Sequence, residues 1–105
     1  MAKLNIYSIA DKKREHLLFQ LSEHDLNLLA EELNVLKNIS SIVITPYQDT
    51  RIFNNHIEIL LSSIRKRIAR KEVKFQYDQE YLQLKKIMKL LEYGLSFNGL
   101  YLMGE

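Results

Sequence analysis

The densest chemistry in this chain is cationic: Arg65, Lys66, Arg67, Arg70 and Lys71 stand almost side by side, with Lys74 just beyond. Groups of this kind take anions, either a phosphate backbone or an acidic protein surface, and arginine does so with a bidentate fork. On a helical wheel centred on Ile64, Lys66 and Arg70 lie on the far side, Arg65 and Arg67 flank, and Lys71 falls close to the apolar face. The cations therefore fan around the helix. A DNA-recognition helix instead needs its readers on one exposed face, and no helix-turn-helix spacing accompanies the cluster. Meeting the helix dipole and solubilising the helix end is the simpler role for these charges.

The acidic counterpart is Glu23, Asp25, Glu31 and Glu32. Glu31 and Glu32 are adjacent in a helix and point about 100° apart, so they do not divide acid and base roles. His16, His24 and His56 follow no metal-ligand spacing, and catalytic zinc needs three converging protein ligands. The serines lack a nucleophile-elbow context and the three glycines are too scattered to cradle a phosphate. The expectation is a protein that is not an enzyme, with no cofactor and no metal.

These groups are carried by elements legible from periodicity. Pro46 to Lys71 reads as one amphipathic helix with Phe53, Ile57, Leu60, Leu61, Ile64 and Ile68 on its buried stripe. Thr45, Pro46 and Gln48 supply its start signal, with Asp49 as a second cap. A helix from Glu23 to Asn38 follows Ser22, which with Asp25 approaches a capping box and precedes Leu26, Leu29, Ala30, Leu33 and Leu36. A third helix runs from the cap Asp78 to a stop at Gly94, its seam made by Tyr77, Tyr81, Leu84, Met88, Leu91 and Leu95. Lys85, Lys86 and Lys89 give it a second cationic surface.

Lys3 to Ile9 and residues 16–21 alternate as the two strands of a hairpin. Ile42, Val43 and Ile44 make either a short strand or an extended connector. The apolar tail, Leu95 to Glu105, reads as a strand joining the hairpin, with Asn98-Gly99 in a bulge or tight turn. Tyr77, Tyr81, Phe97 and Tyr101 read as core or half-buried, whereas Tyr47 and Tyr93 read as exposed anchors.

A chain of 105 residues with 47% hydrophobic and 27% charged composition fits one domain, 1–105, able to bury its own core. The absence of cysteine fits a reducing compartment, and no signal sequence or membrane span is evident. The expectation is cytoplasmic. Net charge is +2, but residues 1–50 hold 5 basic and 7 acidic groups while residues 51–105 hold 10 and 6. That asymmetry implies two surfaces of different sign.

The closing segment Tyr93-Gly94-Leu95-Ser96-Phe97-Asn98-Gly99, within the last 25 or so residues, resembles the end of small immunity proteins from bacterial toxin-immunity systems, including contact-dependent growth inhibition. The resemblance implies a cytoplasmic inhibitor that binds one cognate toxin domain. Immunity proteins against nucleases are often acidic overall, so with a net +2 chain a nuclease partner would meet a local acidic surface, Glu23, Asp25, Glu31 and Glu32. Alternatively Arg65, Arg67, Arg70 and Lys71 meet an acidic toxin surface. Tyr47 and Tyr93 complete the expected partner-binding set.

The sequence thus predicts an α+β fold, an antiparallel sheet of N-terminal hairpin and C-terminal strand packed by about three helices. It predicts a toxin inhibitor that works by protein binding. The alternative is a nucleic-acid-binding or regulatory module using the basic residues of 65–74. Oligomeric state is not readable.

Overall fold

A computed structural model describes residues 2–71, the last by its backbone alone, and 79–105. The fold is α+β: four antiparallel strands with helices packed on one face. Strand β1 (Lys3–Ser8) pairs with β2 (Phe19–Ser22) on one side and with β4 (Leu100–Met103) on the other. A third strand, β3 (Thr50–Ile52), closes the order β2-β1-β4-β3.

Alternation decides which face is buried. Leu4, Ile6, Phe19, Leu21, Ile52, Leu100 and Leu102 all join the core. Asn5, Tyr7, Gln20, Arg51, Tyr101 and Met103 take the other face, where Gln20 Nε2 donates to Asn5 Oδ1 at 2.7 Å across the strand pair.

The helical layer begins at α1 (Glu23–Leu28), whose capping box is complete. The Ser22 hydroxyl accepts from the Asp25 N–H, and the Asp25 carboxylate accepts from the Ser22 N–H. The helix expected to run unbroken to Asn38 is interrupted at Leu29 (φ −87°, ψ 11°) and resumes as α2 (Ala30–Ser40). Ser41, left-handed at φ 64°, ends it. Residues 41–45 form no strand and run as an open connector that tucks Ile42 and Ile44 against the core.

The long helix starts later than expected. Residues 46–53 hold a turn and β3, and α3 spans Asn54–Lys71. The cap is made by His56, at the third helical position, whose Nδ1 accepts from the Phe53 N–H at 2.9 Å. It fills the place that Glu or Gln holds in a capping box. Phe53 is accordingly off the buried stripe and 46% exposed, whereas Ile57, Leu60, Leu61 and Ile64 are buried as expected.

The last helix, α4 (Gln79–Gly94), buries Tyr81, Leu84, Ile87 and Leu91. The expected cap Asp78 and the seam residue Tyr77 lie outside the described residues. The helix ends at Gly94 as expected, but without a left-handed turn: its φ is −59°, and the chain continues into a 3-10 turn, Leu95–Phe97. A Cβ there would lie 2.8 Å from Leu100 Cδ1, so Gly94 serves close packing. Reversal into β4 falls to Asn98 (φ 57°) and Gly99 (φ 138°).

Candidate partner interface

The basic cluster and the acidic set, which sequence presents as two separate surfaces, meet in two ion pairs, Arg67–Glu32 and Arg70–Glu31. Helices α2 and α3 pack side by side, so the cations of α3 face the carboxylates of α2. Arg70 Nη2 reaches Glu31 Oε2 at 2.7 Å, and Arg67 Nη1 reaches Glu32 Oε1 at 2.9 Å. Arg65 turns the other way, to Glu92 of α4 at 3.3 Å.

The pairs differ in kind. Both side chains of Arg70–Glu31 and of Arg65–Glu92 are about half exposed. In Arg67–Glu32 the arginine side chain is 13% exposed and the glutamate wholly buried. Arg67 Nη1 also donates to the Leu28 carbonyl at 2.7 Å, at the turn where the helix is interrupted. A side chain bonded to a ladder carbonyl is consistent with a break in a segment with neither Gly nor Pro. Glu32 is therefore corrected from a partner-binding to an internal residue, and Arg67 with it.

Other members of the expected set also have internal roles. Asp25 completes the α1 cap and accepts from Gln83 Nε2 at 2.8 Å. Glu23 accepts from the hydroxyl of Tyr47 at 3.2 Å, and that bond pushes the phenol above its ordinary range, since ionising it would place two anions together. Tyr47 and Tyr93 are 64% and 50% exposed, matching their expected place at the surface. Tyr93 stacks edge-on against Phe97. The side chain of Lys71 lies outside the described residues, as does Lys74.

One surface open to a partner is a crease between α2 and α3 with a volume of about 640 Å³. Val35, Ile39 and Ile59 give it an apolar lining, and Ser62 and Ser63 leave it unfilled because their side chains are short. Glu58 and Lys66 stand on its rim, two turns apart on α3, and make no ion pair with a described residue. Ile39 is 65% exposed. Sequence reasoning missed this crease, although Glu58, Ser62 and Lys66 at i, i+4 and i+8 were a readable face.

Among the described residues no three His, Asp or Glu side chains converge on a possible metal position, and no helix is long and apolar enough to cross a membrane. No protein-family model matches the chain, and neither the curated proteins nor the solved structures contain a significant match.

Proposed function

We propose that this is a cytoplasmic immunity protein that neutralises a cognate toxin domain by covering its active site, without chemistry of its own. The observation that carries this reading is the α2–α3 crease, an apolar lining flanked by Glu58 and Lys66, which make no ion pair with a described residue. Its occupant is an apolar side chain of the toxin, flanked by charges that meet Glu58 and Lys66. Exposed apolar surface inside a polar rim is the usual anatomy of a protein interface. The ion pairs of Arg65, Arg67 and Arg70 also leave the α3 cluster with less free charge for phosphates.

The test is capture of partners from the native host by the wild-type protein and by Ile39→Asp, each with and without nuclease treatment. One stoichiometric protein that survives nuclease and is lost with Ile39→Asp supports the reading. Capture that is indifferent to Ile39→Asp excludes the crease, and loss of all capture on nuclease treatment excludes the inhibitor.

One observation favours nucleic-acid binding as a second reading, at a different place from the α3 cluster. Lys85, Lys86 and Lys89 share one face of α4 with Leu82, which is 50% exposed, and they make no ion pair with a described residue. Binding through them would weaken steeply with salt as phosphate counterions are released.

A further inference from the structure

We propose that the outer face of the sheet carries a phosphate pocket, built by Lys12, Arg14 and Arg51 around Tyr101, that takes inorganic phosphate or a small organic phosphomonoester. The site shares no residue with the α2–α3 crease and stands on the sheet face turned away from the core.

Three elements bring it together. Arg51 on β3 and Tyr101 on β4 are register partners and share the uncovered face. The β1–β2 connection then folds over them, so that the Arg14 guanidinium lies 3.8 Å from the centre of the Tyr101 ring and that of Arg51 lies 5.1 Å from it. Together with Ile9, Asp11 and Lys12 they line a cavity of about 360 Å³. That volume falls within the range of small-molecule sites.

The connection is held in this arrangement. Asp11 accepts from the N–H of Glu15 at 3.2 Å and of His16 at 2.9 Å, closing the loop on itself. Arg14 is left-handed at φ 53°, a conformation uncommon for a residue with a side chain and frequent at binding sites. Its Nη1 donates to the Lys12 carbonyl at 3.0 Å, which fixes the guanidinium over the ring.

The three cations have no carboxylate of the described residues within ion-pair distance, although Arg14 and Arg51 attract Asp49 from farther off. The two carboxylates nearby are otherwise engaged, Asp11 by the loop and Asp49 by the Tyr101 hydroxyl and the Gly104 N–H. A guanidinium stacked on a ring keeps its in-plane N–H donors free, and Arg14 uses one of five. Two forks and an ammonium match the several oxygens and double charge of a phosphate monoester.

The test is amide NMR of the full chain at constant ionic strength, with inorganic phosphate and, separately, glycerol phosphate as probes. Saturable shifts are expected at residues 9–14, 49–51 and 99–104. Arg14→Gln or Arg51→Gln should weaken binding about tenfold or more, and Lys37→Gln, on the exposed side of α2, should leave it unchanged. Tighter binding of glycerol phosphate supports an organic phosphate as ligand, and equal binding supports the inorganic ion. Shifts that stay linear to about 20 mM, or that persist unchanged in both arginine variants, overturn the proposal.

Discussion

Arg67 and Glu32, 35 residues apart in sequence, form a buried ion pair at 2.9 Å, and the same guanidinium nitrogen holds the Leu28 carbonyl at 2.7 Å. One side chain thereby ties α3 to both halves of an interrupted helix. Removing one member of a buried pair leaves the other charge out of water with no partner, at a cost of about 3–5 kcal/mol. Arg67→Ala should therefore be among the most destabilising single changes outside the apolar core. Chemical denaturation checks this, and a loss below about 0.5 kcal/mol would contradict the packing described. Arg67→Met with Glu32→Leu, which removes both charges at once, should recover most of the loss.

The neighbouring pairs should behave differently although they look alike in sequence. Arg65–Glu92 and Arg70–Glu31 are about half exposed and screened by solvent. Arg65→Ala and Arg70→Ala should each cost less than about 1 kcal/mol, and less still at high salt. Equal losses at positions 65, 67 and 70 would mean that burial does not separate the three.

Much of the fold was legible because its signals are local. Ser22 and Asp25 close a capping box over three residues, and Ile57, Leu60, Leu61 and Ile64 repeat at the helical period. The hairpin showed itself by alternation and the tail strand by its apolar run; β1 lies where expected, β2 begins at Phe19 rather than at residue 16, and only Leu100–Met103 of the expected tail is strand. What escaped was decided by distant partners. Thr50–Ile52 is a strand only because β4 lies beside it, and Pro46 with Gln48 imitates a helix start before a three-residue edge strand. The break at Leu29 falls where the Leu28 carbonyl accepts from Arg67, a partner 39 residues away that no local pattern announces. The candidate site was the least legible part, because the basic and acidic clusters that stood out in sequence meet in two ion pairs, whereas the crease depends on two short serines facing Val35 and Ile39.

Ile39→Asp should separate binding from folding. Ile39 is 65% exposed, so its replacement should alter stability by no more than about 0.5 kcal/mol, while a charge on the crease lining opposes any apolar group seated there. Thermal unfolding and partner capture, measured on the same preparation, check the two halves. Large destabilisation would show that Ile39 packs more tightly than its exposure indicates.

Gly104→Ala tests how the end of the described chain is held. The Gly104 N–H donates to Asp49 at 2.9 Å and the Glu105 N–H to the Pro46 carbonyl at 2.9 Å, pressing this segment onto the turn before β3. A Cβ on Gly104 would stand 2.5 Å from the Gln48 backbone nitrogen, which has no flexible side chain to yield. A loss of about 1–3 kcal/mol is expected, the range for overpacking, with the largest amide shifts in residues 46–50. Wild-type stability would show that the segment lifts away at no cost.

Acid should loosen the region around the outer sheet face. The Tyr101 hydroxyl and the Gly104 N–H, with Arg14 and Arg51 adding attraction, hold the Asp49 carboxyl below its ordinary value of 3.8. Asp11 is lowered likewise, chiefly by the His16 N–H. Both carboxylates favour the charged form in the folded protein, so between the depressed and ordinary values the unfolded chain binds more protons. Their contribution is complete above the ordinary carboxylate range and is lost as pH falls through the depressed folded values. Asp49→Asn removes one of them, so the stability gap between wild type and variant should be widest above the ordinary carboxylate range and should shrink as the pH falls below it. Denaturation midpoints across that range test the sign directly: a gap that stays constant, or widens in acid, would mean that Asp49 is not held as an anion by Tyr101.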